Sequence, residues 1–206
     1  TKKKRQQVKE KIYSAKIEKA PFTFIELKKA AALALQGFSQ AEIKEIAVRD
    51  NLFQVNTDDR KKELARMVLK RMQALDQYLL QQLVNGSAAT GKLIVLYAIM
   101  KTDRLFFEFM NEVFKEKLII RDYTLADKDF YNFFAEKKEQ SERLAAWREY
   151  TFYKVRQVYI RVLFEAGLIK DKKSREIVKP LPDQSLIHNW LSRGDGMIVN
   201  ILRGHN

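Results

Sequence analysis

Residues 31–43, AALALQGFSQAEI, contain an apolar helical segment, a short turn and the start of a second helix. Gly37 is suited to the left-handed conformation that closes a helix. Ser39 and Glu42 have the Ser-x-x-Glu spacing of a capping box, which predicts that the next helix begins there. This stretch therefore predicts two helices joined by a short turn, and it is similar to the first turn of a helix-turn-helix motif.

The rest of the chain is also dominated by helical patterns. Thr23 and Glu26 have the spacing of another capping box, before the helix that leads into this stretch. Thr57 is predicted to cap a long helix that runs to about Val84, because apolar residues recur there at intervals of three and four. Residues 1–20 form a predicted basic arm, helical from about Val8. Further helices are predicted at about 88–100, 103–119, 124–138, 141–166 and from 183 onward.

One segment breaks the helical pattern. Two short apolar and basic runs flank the polar turn Asp171–Ser174, which predicts a basic β-hairpin, or wing, over residues 168–179. The predicted fold is all-α with this one small hairpin. The predicted organisation is the arm followed by a single helical domain, 21–206, with a helix-turn-helix-like part, 21–84, and a part that carries the hairpin, 85–206.

The composition disfavours several classes of site. The chain has no cysteine and two histidines, which leaves no thiolate ligand, no Cys nucleophile and too few imidazoles for a metal centre. Gly86–Leu93 nearly matches a phosphate-binding loop, but a helix precedes it and Leu93 follows Lys92 where Ser or Thr is needed. We therefore predict no catalytic residues, no cofactor, no metal and no small-molecule substrate.

The hydropathy predicts a soluble, cytoplasmic protein without a membrane partner. The longest apolar run, 93–100, is far shorter than the roughly 20 residues that a membrane-spanning helix needs. The charged N-terminus is not followed by the apolar segment of a secretory signal.

The net charge of +13 is concentrated in three segments. Residues 1–20 carry eight Lys and Arg against two Glu, residues 58–72 carry six against three acidic residues, and residues 143–179 carry ten against four. Clustered positive charge is typical of proteins that bind a polyanion such as nucleic acid. A solvated basic face remains the alternative for each cluster.

The candidate nucleic-acid-binding residues come from the arm, two helices and the wing. On the helix from Thr57, the basic row lies opposite the apolar positions. On the helix predicted from Ser141, the basic positions form a stripe with Tyr150 and Gln157. The candidates are Lys2, Lys3, Lys4 and Arg5; Lys62, Arg66 and Lys70; Arg143, Lys154 and Arg161; and Lys172, Lys173 and Arg175.

Glu108, Glu112 and Glu116 recur every four residues on one predicted helix. Such a row is typical of a solvated face, and docking of a basic protein partner is the functional alternative. A catalytic pair of carboxylates is disfavoured, because such pairs usually come from different elements around a cleft.

Several runs resemble the BrxA family. They are 101–110, 133–142, the opening 13–17 with Pro21 and Phe22, and 51–53, so that the resemblance extends over nearly the whole chain. It implies a small protein of bacterial BREX phage-defence systems, with a fold like that of the antitermination factor NusB and with nucleic-acid binding. It also implies BREX partners, among them an ATPase, a DNA methyltransferase and a phosphatase-like protein. It supplies no catalytic residues.

Together these observations predict a non-catalytic accessory protein of a BREX system that binds double-stranded DNA. One alternative is an RNA-binding, antitermination-like factor, and another is a scaffold that bridges defence subunits without nucleic acid. RNA binding favours exposed aromatic side chains that stack on bases. Most aromatic residues here, such as Phe106, Phe109, Phe133 and Phe134, lie in apolar runs and are predicted to be core, which favours duplex DNA.

Overall fold

The computed structural model describes residues 12–205, and the chain in it forms two compact units. The central unit comprises Lys19–Thr102, and the terminal unit comprises, of the described residues, 12–18 together with 103–205. Helices dominate both units, as predicted for an all-α protein. The predicted arm residues 1–11 lie outside the described part, and a short 3-10 helix, Lys16–Lys19, follows them.

The central unit contains five α-helices. They are α1 (Phe24–Leu35), α2 (Gln40–Arg49), α3 (Asp58–Met72), α4 (Gln77–Asn85) and α5 (Ala88–Thr102). Helix α1 packs against α3 and α4, and α2 packs against α3. Helix α5 is the centre of this core, because every residue from Leu93 to Met100 is buried. This burial explains the longest apolar run of the sequence.

The turn between α1 and α2 is formed as predicted. Gly37 has a φ of +95°, the left-handed conformation that suits glycine. The Ser39 hydroxyl accepts from the backbone N–H of Glu42, and the Glu42 carboxylate accepts from the backbone N–H of Ser39 at 2.8 Å. These reciprocal bonds satisfy two donors that would otherwise lack helical partners.

The capping box predicted at Thr23 is wrong. The Thr23 side chain makes no capping hydrogen bond to α1. It is buried, and its hydroxyl accepts a 2.7 Å hydrogen bond from the guanidinium of Arg71 instead. Spacing along the chain does not reveal this competition, because Arg71 lies 48 residues away.

The long helix predicted from Thr57 to Val84 is two helices. Helix α3 ends at Met72, and Asp76 caps α4 by accepting from the backbone N–H of Leu79 at 2.8 Å. Leu75, between them, is buried, as are the apolar positions on both sides. The apolar spacing therefore continues through the break, and periodicity alone does not show it.

Arg71 is the buried cation of the central unit, with an exposed fraction of 2%. Its guanidinium donates to the Ala20 carbonyl oxygen at 2.5 Å and to the Thr23 hydroxyl at 2.7 Å. These bonds hold the chain before α1 against the last turn of α3. Buried polar groups need such partners, because losing them costs their desolvation free energy.

The terminal unit contains seven α-helices within the described residues. They are α6 (Arg104–Phe109), α7 (Lys115–Ile119), α8 (Asp127–Glu139), α9 (Glu142–Ala145), α10 (Glu149–Glu165), α11 (Gln184–Ser192) and α12 (Gly196–Arg203). A wider π-helical turn, Met110–Phe114, joins α6 to α7. Aromatic rings fill the core: Phe109 stacks on Phe130 with ring centroids 5.0 Å apart, and Phe106 meets Tyr159 edge to face.

The helix predicted from Ser141 to residue 166 is also interrupted. Ser141 caps the short α9, and residues 146–148 separate it from α10. The chain bends at Trp147, and the ring of this residue packs against Phe152 at a centroid distance of 5.5 Å. As a result Arg143 lies on a different helix from Lys154 and Arg161, and the predicted continuous stripe does not form.

The β-hairpin predicted at 168–179 is wrong. The structure has isolated bridges, Ile169 with Ile177 and Thr124 with Glu176, and no strand within residues 12–205. Arg175 has a φ of +53°, which interrupts an extended strand. Backbone bonds from residues 175–178 are divided between the segments 123–125 and 168–170, so neither pairing extends into a ladder. The helix predicted from Thr124 accordingly begins at Asp127.

We predict that Arg71→Met lowers the free energy of unfolding by about 2–4 kcal/mol, because it leaves two buried acceptors without donors. Urea unfolding followed by circular dichroism measures this change. Arg66→Met is the matched control on the same helix: Arg66 is exposed, so we expect a change within about 0.5 kcal/mol. Equal stability of the two variants would contradict the role given to Arg71.

Candidate nucleic-acid interface

The predicted basic row on α3 is present and is exposed. Lys62, Arg66 and Lys70 lie on the side of the helix away from the buried Leu64 and Val68. The Lys70 ammonium donates to the Thr102 carbonyl oxygen at 2.9 Å, so part of its hydrogen-bonding capacity is used within the unit. Lys62 and Arg66 instead face a groove.

This groove lies between α2 and α3 and has a volume of about 440 Å³. Four cations and one carboxylate line it with two apolar side chains. The lining residues are Ala41, Lys44, Glu45, Val48, Arg49, Lys62 and Arg66. The two helices contribute cations to opposite sides of the groove, an arrangement that suits an elongated anion.

One of these cations, Arg49, is already paired with carboxylates. Arg49 donates to both carboxylate oxygens of Asp50, at 2.8 and 2.9 Å, and to Glu45 at 3.2 Å. The hydrogen bonds from Arg49 lower the pKa of Asp50, so the pair is ionised at neutral pH. Among residues 12–205, Lys44, Lys62 and Arg66 are left without a carboxylate partner within salt-bridge distance.

Two acids of α3 close to Lys62, Asp58 in the first turn and Glu63, are paired with cations. Lys61 bonds to the Asp58 carboxylate at 2.8 Å, which lowers the pKa of Asp58, and Arg60 pairs with Glu63 at 3.1 Å. These pairs offset negative charge close to Lys62. The lining of the groove carries four cations and one carboxylate, so its formal charge is positive in spite of the acids beside it.

The predicted basic residues of the terminal unit have different surroundings. Arg143 donates to the Tyr13 carbonyl oxygen at 2.7 Å, and Arg161 pairs with Glu165 at 2.5 Å. Arg175 is mostly covered and pairs with Asp127. Each of these three arginines thus has an internal role or a neutralising partner.

The predicted lysines of the terminal unit are exposed. The ammonium of Lys154 lies 5.2 Å from the ring centroid of Tyr150, and its hydrogen bond with Tyr150 raises the pKa of Lys154. The ammonium of Lys172 lies 5.0 Å from the ring of Phe164, and Lys173 is exposed in the turn formed around Asp171. The predicted arm residues Lys2, Lys3, Lys4 and Arg5 lie outside the described residues.

The predicted acidic row does not form a single free face. The π-helical turn changes the helical register between Glu108 and Glu116. Glu108 accepts from Tyr13, Arg104 and Lys137, and Glu112 accepts from Lys137 at 2.6 Å. Burial, together with the hydrogen bond to Glu108, raises the pKa of Tyr13 to about 12. Two of the three glutamates therefore stabilise the terminal unit.

Comparison with known proteins identifies the family of this chain. The BrxA family model matches residues 11–194 of the chain. The chain belongs to the BrxA family. The BREX protein BrxA of Bacillus cereus (strain H3081.97) is 50% identical over 198 residues, which cover 96% of this chain and 99% of that protein. Membership of the family implies a role in BREX phage defence.

A solved structure shares the fold of this BrxA-family chain. The crystal structure of an uncharacterized protein from Magnetospirillum magneticum superposes with a TM-score of 0.79 and covers 93% of this chain and 98% of its own. The two sequences are 19% identical, so the likeness shows the fold alone.

Sequence reasoning missed two features that the structure brings to the surface of this BrxA-family protein. Lys44 of α2 faces the cations of α3, and its spacing from Ala41 and Val48 along one helical face was the available signal. Tyr153 and Phe164 are exposed on α10 although they lie in an aromatic-rich segment. The helical period places both at least about 100° around the helix from the buried rings of Phe152 and Tyr159, and this spacing was the available signal.

The near match to a phosphate-binding loop is a helix start: the Ser87 hydroxyl accepts from the backbone N–H of Thr90 at 3.1 Å, and Lys92 lies within α5. Between residues 12 and 205, no group of three or more His, Asp and Glu side chains is placed to hold a metal ion. No helix of that described part is long and apolar enough to cross a membrane.

We predict that Glu108→Gln lowers the free energy of unfolding by roughly 1–3 kcal/mol, because Arg104 and Lys137 lose a charged acceptor. Glu116→Gln is the matched control from the same predicted row; Glu116 is exposed, and we expect a change within about 0.5 kcal/mol. Thermal and urea unfolding check both values. Equal losses would argue that the row acts as one surface.

Proposed function

We propose that this BrxA-family protein is a non-catalytic accessory protein of a BREX system that binds double-stranded DNA through the groove between α2 and α3. The observation that carries the proposal is the set of three cations, Lys44, Lys62 and Arg66, that face one groove without carboxylate partners among the described residues. Cations held in this way neutralise phosphates and release counterions from the duplex.

The positions of these cations suit the DNA backbone. Lys62 and Arg66 are one turn apart on α3, about 6 Å along the helix axis. Because a folded helix carries them, binding requires little ordering of the backbone that holds them. A like-charged pair at this spacing repels itself in the free protein, and an anion in the groove relieves that repulsion.

The arrangement of α1, α2 and α3 supports the helix-turn-helix interpretation. A short turn, 36–39, joins α1 to the capped start of α2, and α3 packs against both helices. The longer connection 50–57 departs from the usual motif, in which the recognition helix follows a tight turn. We therefore propose backbone binding at this motif rather than the insertion of one recognition helix.

Weak sequence preference follows from the lining of the groove. It contains no Asn or Gln, the side chains that read adenine through two hydrogen bonds. Lys44 and Lys62 are point charges that suit phosphates, and Arg66 is the one unpaired guanidinium of the lining. Contacts of this kind position a protein on DNA and carry little base information.

Other parts of the proposal rest on family membership. We propose that the protein acts in the cytoplasm alongside other BREX proteins, and that its helices form a NusB-like bundle. The scaffold alternative has less support from the acidic row, since Glu108 and Glu112 are engaged within the terminal unit.

The proposal predicts electrostatic binding that tolerates sequence. If about five phosphates are neutralised, log K falls against log[salt] with a slope near −4.5 on duplex DNA. The double variant Lys62→Glu/Arg66→Glu should weaken binding and make the slope shallower by roughly 1.8, because each lost phosphate contact contributes about 0.9 to the slope. Fluorescence anisotropy with a 20-base-pair duplex, titrated at several salt concentrations, measures both quantities.

Lys128→Glu/Lys179→Glu is the control with the same change in net charge. Both residues are exposed in the terminal unit and neither lines the groove. We expect a smaller loss of affinity and a slope close to that of the unaltered protein. No binding at 50 mM salt, or equal losses in the two variants, would show that the groove is a solvated face.

A further inference from the structure

One face of α10 carries three exposed aromatic side chains. Tyr150, Tyr153 and Phe164 are 65%, 49% and 39% exposed. At 100° per residue they lie within about 60° of one another around the helix, so they share one side of it. By contrast, Phe106, Phe109, Phe133 and Phe134 are buried as predicted, so the terminal unit has a filled aromatic core beside this exposed set.

Each exposed ring is paired with a cation. The rings of Tyr150 and Tyr153 are nearly parallel, at an interplanar angle of 22°. Lys154 lies over Tyr150 at 5.2 Å, Arg156 over Tyr153 at 5.5 Å, and Lys172 over Phe164 at 5.0 Å. Aromatic surfaces interleaved with positive charge are the combination that binds single-stranded nucleic acid.

The acids nearest in sequence to this face are neutralised. Glu149 accepts from Lys138 at 2.5 Å, and Glu165 accepts from Arg161 at 2.5 Å. These pairs reduce the repulsion that the carboxylates would exert on a phosphate backbone. Glu18 also acts electrostatically on Lys154, so the face offers aromatic rings and lysine charges with one carboxylate near Lys154.

We infer that this face of α10 binds unpaired bases of single-stranded nucleic acid, with stacking on Tyr150, Tyr153 and Phe164 and phosphate contacts from Lys154 and Lys172. Bases in a duplex are already stacked on one another, so these rings add little to duplex binding. Tyr153 and Phe164 are separated by about 16 Å along the helix axis, which leaves room for several nucleotides between the two stacking positions. The inference goes beyond the proposed function, because it adds a second surface and a second form of nucleic acid and does not depend on duplex binding by the groove.

The test compares three probes in anisotropy titrations: a 12-nucleotide oligo-dT, a 12-nucleotide oligo-rU and the 20-base-pair duplex. The variant Tyr150→Ala/Tyr153→Ala/Phe164→Ala should weaken binding of the single strands by about tenfold or more, because two or three stacking contacts are lost. Its duplex affinity should stay within twofold. A preference between the DNA and RNA strands identifies whether the 2′-hydroxyl is read.

Two further variants make the result decisive. Tyr150→Phe/Tyr153→Phe keeps the rings and should keep single-strand affinity within twofold, whereas Lys62→Glu/Arg66→Glu should lose duplex affinity and largely keep single-strand affinity. Circular dichroism checks that each variant is folded. The inference is overturned if the unaltered protein binds neither single strand at low salt. It is also overturned if the alanine variant loses affinity for the duplex and for the single strands equally. If the unaltered protein does not bind the duplex, and the alanine variant loses affinity for the single strands, the groove proposal is rejected and this inference stands.

Discussion

The buried guanidinium of Arg71 joins the chain before α1 to the last turn of α3 through the Ala20 carbonyl oxygen and the Thr23 hydroxyl. The same helix carries Lys62 and Arg66 on its exposed side. Because both sets of side chains extend from one rigid helix, the buried bonds help to set the position of the exposed cations. The geometry of the proposed DNA-binding groove thus depends on a polar contact inside the core.

Positive charge is abundant in this protein, but its availability is uneven. Arg143, Arg161 and Arg175 have internal acceptors or carboxylate partners, and Lys70 bonds to a backbone carbonyl. Lys62 and Arg66 face a groove, while Lys154 and Lys172 lie against exposed rings. A net charge of +13 therefore describes attraction to polyanions in general, and the pairing of each cation decides where an anion can bind.

The two compact units offer chemically different surfaces. The central unit presents cations of α2 and α3 with little aromatic surface between them, which suits the phosphates of a duplex. The terminal unit presents aromatic rings with cations above them on α10, which suits unpaired bases. Because the surfaces are separate, mutations can distinguish the proposed binding of paired strands from the proposed binding of unpaired strands.

Much of the architecture was predictable from local sequence. The all-α class, the turn at Gly37 and the capping box of Ser39 follow from short-range spacing, because helix formation and capping involve residues three or four apart. The basic face of α3 was also predictable, since it lies opposite a regular apolar row. The resemblance of several sequence runs to the BrxA family was also visible in the sequence, and the match to the BrxA family model confirmed it.

Contacts between distant residues decided the rest. Thr23 bonds to Arg71 instead of capping α1, Asp127 pairs with Arg175, and Glu108 bonds to Tyr13 and Lys137; each partner lies between 29 and 95 residues away in the chain. The failure of the predicted hairpin has the same origin, because local patterns do not show that residues 175–177 bond to the segment 123–125. Sequence alone determined the helical class and which residues are apolar or charged. Tertiary packing decided which charged and aromatic groups remain exposed to a ligand, since only the folded chain brings competing partners within hydrogen-bonding distance.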